Sequence, residues 1–269
     1  MPYDLQALID PVRQIARQAG ARILDIYDAT YTVVEKADQS PLTEADIAAH
    51  QTIVEGLSQL TPEIPVLSEE SSDIPFATRA LWTDYWLVDP LDGTREFISR
   101  NGEFTVNIAL IRDHNAVLGV VHIPTQKTDY FGWKNGGAYV QYLDKEPQSI
   151  HTRPFTSGPA RVVGSRSHRG NSLDQFLANL GDYELVSMGS SLKLCLVAAG
   201  KADIYPRLGP TSEWDTAAAH AIVTCAGGHV VDTQGQPLLY NTKADYLNPF
   251  FLAYGDAAHN WLRYLARTP

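Results

Sequence analysis

Two aspartates, Asp89 and Asp92, stand three residues apart in "WLVDPLDGTREFISRNGEFTVNIALI", Trp86 to Ile111. The first five residues of that stretch read as a buried strand. Like charges at a strand end repel: at about 4 Å and an effective dielectric near 20 the cost is on the order of 4 kcal/mol. Such a pair is tolerated where a cation offsets it or where one carboxyl keeps its proton. Gly93 follows at once and allows the backbone to turn sharply and approach a ligand. Thr94 then opens a short helical turn, "TREFI", whose first N–H groups point outward with partial positive charge. Further acids recur in similar settings: Glu69 and Glu70 in "VLSEES", and Asp215 in "SEWDTAAAHA". A gathering of carboxylates suits a hard cation bound through oxygen, such as Mg²⁺, and no Cys or His spacing supports zinc. Magnesium keeps waters and phosphate oxygens as partners, so the cluster points towards phosphate chemistry. In a two-metal arrangement, cations about 3.5–4 Å apart stabilise the attacking and leaving oxygens and activate a water. No Cys, Ser or Asp stands in a phosphatase nucleophile motif, so no covalent enzyme intermediate is expected.

The elements that must position these acids are legible in the periodicity. Leu5, Leu8, Ile9, Val12, Ile15, Ala16, Ala19, Ile23 and Ile26 fall at helical spacing, with Pro11 starting or kinking the helix. "YTVVE" reads as a strand. "SPLTEADIAAHQTIVEGLSQL" reads as a loop and then a helix capped by Thr43, with Ile47, Val54, Leu57 and Leu60 on one face. "IPVLSEE" is a short strand ending in acids, "TVNIALI" and "AVLGVVHI" form a hairpin around "RDHN", and "GAYVQYL" is another strand. Beyond residue 150, the strands "RVVGS", "YELVSMG", "ADIYP", "GHVVD" and "PFFLAYG" alternate with helices. The helices lie near "NSLDQFLANLG", "SLKLCLVAAG", "EWDTAAAHAIVTCAGG" and "AAHNWLRYLART". Alternation predicts an α/β half with some parallel strands, after an α+β half with a meander. A boundary is expected at residues 146–158, giving halves 1–150 and 151–269. The first would carry most of the metal ligands, and the second Asp215 and a nucleotide-binding loop.

Composition limits the partners. The 269 residues are 44% hydrophobic and 19% charged, with a net charge of −10. That balance disfavours nucleic acid and anionic membranes, which call for a basic patch. The amphipathic start predicts no secretory leader, and no run of eighteen apolar residues predicts a membrane span. Cys195 and Cys225 read as buried thiols, and a cytoplasmic location is expected, with peripheral attachment to the cytoplasmic face of the inner membrane left open. Trp86 and Trp214 read as packing residues, and His220 and His229 as structural.

Taken together, "DPLDGT", the upstream "EE" and the downstream "WDTAAAHAIVTCAGG" resemble the inositol monophosphatase superfamily of lithium-sensitive, magnesium-dependent phosphomonoesterases. "GSRSH" and "GSSLKLCLVAAGKADIYPRLGPTSEWDTAA" resemble its CysQ branch, which hydrolyses adenosine 3′,5′-bisphosphate to AMP and phosphate. The likeness runs from about Leu5 to Tyr254. It implies a layered αβαβα sugar-phosphatase fold with the metal site between the halves. It implies two or three Mg²⁺ ions held by Glu69, Asp89, the Leu91 carbonyl, Asp92 and Asp215, with Glu70 behind them. Thr94 and Asp46 would orient and activate the attacking water with Glu69, and Gly93 and Thr94 would supply phosphate-binding amides. Ser165, Arg166 and His168 in "GSRSHRG", together with Lys193, would contact the nucleotide. Glu213 departs from the neutral residue common in the family, at a place where nucleotide preference could be tuned. A phosphorylated nucleotide is the expected partner, with the protein a monomer or homodimer. Inositol monophosphatase or sugar bisphosphatase activity remains the nearest alternative, and a non-catalytic phospho-ligand sensor the next.

Overall fold

Apolar stripes at helical spacing need a surface to cover, and here that surface is a sheet. The computed structural model describes residues 3–29, 33–35, 41–165 and 171–265. Helix α1 (Leu5–Tyr27) is capped by the Asp4 carboxylate, which accepts from the Gln6 N–H at 3.1 Å; the helix continues through Pro11 rather than starting there. Strands β1 (Val33–Glu35) and β2 (Pro41–Thr43) pair antiparallel, so a strand lies where a loop was expected before α2 (Glu44–Leu60). Thr43 caps α2 as expected, but the helix buries Ala45, Ala49, Ile53 and Leu57. Ile47 is exposed and Val54 only half-buried, so the predicted face is rotated: the tight packing of α2 against α1 selects the alanines.

Both helices lie on one face of a seven-stranded sheet. Its strands are β3 (Val66–Ser68), β4 (Asp84–Asp92), β5 (Thr105–Arg112), β6 (Asn115–Ile123), β7 (Thr128–Trp133), β8 (Gly137–Tyr142) and β9 (Gln148–Ile150), neighbours in that order. β3 and β4 run parallel and the rest is an antiparallel meander. The β5–β6 hairpin turns at Asp113 and His114, with φ of 48° and 63°, the left-handed pair that a two-residue hairpin turn demands. Between β3 and β4 lie a 3₁₀ turn, Glu69–Ser71, and the short helix α3 (Phe76–Arg79); α4 (Thr94–Ile98) follows β4.

The second sheet has the order β11-β10-β12-β14-β13, built from β10 (Ala160–Ser165), β11 (Tyr183–Met188), β12 (Ile204–Arg207), β13 (His229–Asp232) and β14 (Phe251–Tyr254). β10 pairs parallel with β11 and β12, whereas β12, β14 and β13 pair antiparallel. Helices α6 (Leu192–Ala198) and α7 (Ala217–Cys225) fill the space between the sheets. There Tyr85, Leu87, Ala109, Val197, Ala218, Ile222 and Tyr205 share one core. Gly119 of β6 is needed for that approach, because a Cβ there would lie 2.0 Å from the Ala218 carbonyl oxygen of α7. Helix α5 (Asn171–Leu180) packs with Trp261 on the outer face of the second sheet. The layers therefore run helix, sheet, helix, sheet, helix, in agreement with the αβαβα expectation. Among the described residues, the expected last helix is a 3₁₀ turn, Trp261–Tyr264, where Trp261 packs at a tilt against Phe155 and His259 and donates its indole N–H to the Asp256 carbonyl.

Candidate active site

Residues three apart on a regular strand face opposite ways, so Asp89 and Asp92 should point to different sides of the sheet. They do not, because β4 carries a bulge between them. Asp89 pairs with Asn107 and Asp92 with Thr105, so three residues of β4 span two of β5. Asn107 and Thr105 share a face of β5, and the extra residue therefore brings both aspartates to the side facing α6 and α7. Pro90 sits in the bulge, where the missing N–H costs little. Leu91 is buried on the opposite side, against the α1 and α2 core.

Other elements add acids to that strand end. Glu69 begins the 3₁₀ turn after β3, the parallel neighbour of β4. Asp215 lies just before α7, held where Thr211 Oγ1 (2.6 Å) and the Ser212 N–H (2.9 Å) donate to its Oδ2. Carboxylate oxygens of Glu69, Asp89 and Asp215 all lie within 4.8 Å of one another. Asp92 lines the same cleft as Asp215 and is fixed by the Ser191 N–H at 2.5 Å and by Asn107 Nδ2 at 3.3 Å. Ser191 Oγ in turn donates to Asn107 Oδ1 (2.8 Å) and shares a hydrogen bond with Thr105 Oγ1 (2.9 Å). This buried anchor went unnoticed in the sequence, although "GSS" held the signal.

Gly93 adopts φ 95°, a left-handed turn that starts α4 and places Thr94 beside the cluster. Thr94 Oγ1 donates to Asp46 Oδ1 and to the Leu91 carbonyl, both at 3.4 Å. Asp46 is the third residue of α2, and its Oδ2 accepts from the Thr43 N–H (2.8 Å) and Thr43 Oγ1 (2.6 Å), closing a capping box. The cap thus aims the remaining oxygen of Asp46 at Thr94. Lys193, in the first turn of α6, is buried, and its ammonium donates to the Ser190 carbonyl. Asp92, Gly93, Thr94, Lys193 and Asp215 line a cleft of about 280 Å³ with Arg95, Glu96, Tyr205 and Arg207. Arg207 and Tyr205 were missed because "IYPR" reads only as a strand. Ser165 ends β10 in register with Met188, whereas Arg166 and His168 fall outside the described residues. Glu213 does not line the cleft; it is buried, and both its oxygens accept from the Asn241 N–H.

The electrostatics are those of an anion trap turned inside out. Burial raises the Asp89 pKa well above the ordinary carboxylate range, and Glu69, Asp92, Asp215 and Asp46 all push the same way. Asp92 is raised to about 7 by burial and Asp215, against the pull of Lys193, Asn107 and the Ser191 N–H. Burial lowers Lys193 to about 8 despite Asp92. An all-oxygen donor set in which every charged group acting on Asp89 is another acid fits a divalent magnesium-type cation.

A profile of the inositol monophosphatase family matches residues 4–258. The chain belongs to the inositol monophosphatase family. Within that family it is similar to a 3′(2′),5′-bisphosphate nucleotidase CysQ of Escherichia coli, 52% identical over 247 residues, 91% of this chain and 98% of the relative. A CysQ of Haemophilus influenzae is 37% identical, covering 94% and 95% of the two chains. Among solved structures, CysQ from Bacteroides thetaiotaomicron, a bacterial member of the inositol monophosphatase family, superposes with a TM-score of 0.82 at 42% identity, covering 93% of this chain and 97% of that one. An inositol monophosphatase from Anabaena shares the fold at a TM-score of 0.78 and 24% identity, covering 99% and 98%. Among the described residues, no helix is long and apolar enough to cross a membrane.

Proposed function

We propose that this protein is a magnesium-dependent bisphosphate nucleotidase that removes the 3′-phosphate from adenosine 3′,5′-bisphosphate, leaving AMP. The observation that carries the proposal is the convergence of Glu69, Asp89 and Asp215 at one point, beside Asp92 and the Thr94–Asp46 pair. The names of similar CysQ relatives support the nucleotide as substrate. Glu69, Asp89, the Leu91 carbonyl, Asp92 and Asp215 would hold two or three Mg²⁺ ions. When bound, these ions neutralise phosphate charge and lower the pKa of water at the site. Thr94, already donating to Asp46, offers its oxygen lone pair to the attacking water, and the Asp46 carboxylate draws proton density through that bond. Glu69 flanks the same position. Gly93 and Thr94 present backbone N–H groups to the phosphate being removed. Lys193 and Arg207, which line the cleft, suit the second phosphate, and a bisphosphate supplies the charge that the burial of Lys193 calls for. Ser165, Arg166 and His168 are proposed for the nucleoside. The cytoplasm, where such a nucleotide would be met, is the proposed location.

The deciding experiment is phosphate release measured side by side on adenosine 3′,5′-bisphosphate, inositol 1-phosphate and fructose 1,6-bisphosphate. Preference for the adenosine compound, magnesium dependence and inhibition by millimolar lithium are expected. A higher kcat/KM on inositol 1-phosphate or fructose 1,6-bisphosphate would overturn the nucleotide assignment. Nucleotide binding without release from any of the three would favour a sensor.

A further inference from the structure

Glu69 and Asp215 approach one point from segments far apart in the chain, and among the described residues no strand pairing joins those two segments directly. A buried polar latch does. Glu213, two residues before Asp215, is 1% exposed, and its carboxylate accepts twice from the Asn241 N–H, at 3.0 and 2.9 Å. Asn241, held at φ 54°, accepts from the Arg79 guanidinium through Oδ1 and donates through Nδ2 to the Arg79 carbonyl at 2.7 Å. Arg79 is itself 1% exposed. Its other terminal nitrogen donates to the Ala244 carbonyl, and its guanidinium lies 4.9 Å from the Phe76 ring centroid and 4.3 Å from that of Tyr246. Tyr246 closes the circuit at both ends. Its hydroxyl donates to the carbonyl of Ser72, the residue capping the turn that carries Glu69, at 2.5 Å. Its ring packs 5.0 Å from that of Trp214, and its carbonyl accepts from the Glu213 N–H at 2.8 Å.

We propose that Arg79, Asn241, Glu213 and Tyr246 are positioning residues that set the spacing of Glu69 and Asp215 and thereby the affinity of the acidic cluster for its cation. The inference rests on the metal-dependent reading above. None of the four lines the cleft, so the latch acts on ion binding and leaves nucleotide contacts alone. A buried hydrogen-bond network in which Asn241 stands between Arg79 and Glu213 confers geometry more than stability. Partners that orient a ligand from behind typically govern about 10- to 100-fold of metal affinity. This role also accounts for an acidic residue directly before the tryptophan of "EWD", where the family commonly has a neutral one.

The test is magnesium titrated calorimetrically into metal-free protein, with melting temperature and steady-state kinetics recorded on the same samples. Tyr246→Phe cuts only the bond to Ser72 and keeps the ring against Arg79 and Trp214, so it is expected to fold. Its magnesium affinity should fall several-fold, and that of Glu213→Gln about tenfold or more. At saturating magnesium both variants should recover kcat, with the KM for nucleotide unchanged. Wild-type magnesium affinity in Tyr246→Phe would overturn the proposal, whatever the melting temperature does. So would a raised nucleotide KM that extra magnesium does not correct. A wild-type protein that binds no magnesium would instead overturn the phosphatase reading, and this proposal with it.

Discussion

Asp89 and Asp129 are both buried aspartates on the same sheet, yet their surroundings are opposite. Asp129 of β7 is 0% exposed and enclosed by two arginines and a histidine: Arg17 Nη2 at 2.7 Å, Arg13 Nε at 3.3 Å and His122 Nδ1 at 2.7 Å. Burial pushes its pKa up, but the hydrogen bonds and charges of His122 and Arg17 outweigh that, and the net shift is downward. Asp89 of β4 is 2% exposed, burial acts in the same direction, and every neighbouring charge reinforces it. The protein thus compensates one buried carboxylate completely from its own sequence and leaves the other for something external to neutralise. A carboxylate centre that the fold fails to balance is a site for chemistry; one that it balances is a joint. The Asp129 joint fastens α1 to the sheet, with Arg13 also lying 4.0 Å from the Phe131 ring centroid. A Cβ on Gly20 would meet the His122 ring at 2.5 Å, so that helix position must stay bare.

The contrast can be broken most severely by exchanging charges for amides. Asp89→Asn should fold and lose phosphate release by about a thousandfold or more, since several kcal/mol of charge stabilisation go with the ions. Its metal-free melting temperature should rise, because a repulsive charge is gone; a fall in that temperature with activity preserved would reverse the two roles. Asp129→Asn should do the converse. Stranding the buried Arg13 and the half-buried Arg17 is expected to cost about 3–5 kcal/mol in denaturant unfolding while the magnesium affinity of the folded protein stays near wild type. Lys193→Met tests the one buried ammonium described beside the acidic centre. The KM for a bisphosphate should rise about tenfold to a hundredfold, with a smaller effect on a monophosphate ester. Equal losses on both would remove it from the second phosphate.

The smallest effect is a difference in pH dependence. A carboxyl whose folded pKa is raised, as for Asp89 and Asp92, contributes stability that is present below the unfolded value near 3.8 and lost as pH rises through the folded value, about 7 for Asp92. Asp129, lowered in the folded state, contributes stability that is present above the unfolded value and lost as pH falls through its folded one. Metal-free protein should therefore lose stability between about pH 4 and 7, and magnesium should remove that slope but leave the acid limb unchanged. Melting curves that are flat across that window without metal would contradict the assignment.

Much of this architecture was legible where periodicity is one-sided. Helix α1 and the β5–β6 hairpin follow their apolar patterns closely, and "DPLDGT" marked the acidic strand end. Strand β7, "TDYFGW", was invisible because five of its six residues are buried, so no alternation survives and Asp129 reads as a turn. The α2 face was misplaced because alanines, weak in any hydrophobicity count, do the packing against α1. The β4 bulge was hidden as well: spacing alone puts Asp89 and Asp92 on opposite faces, and only the register against Asn107 and Thr105 shows them together. The latch from Arg79 to Asn241 joins residues whose relation no local pattern records.

The most direct test of the central claim is calorimetric titration of magnesium into metal-free protein at pH 7 in buffers of different ionisation enthalpy. Carboxyls held at raised pKa by one another must give up protons as the ion enters, so binding with net proton release is predicted, and both should disappear in Asp92→Asn. Absence of magnesium binding, or binding with no proton released, would contradict the account.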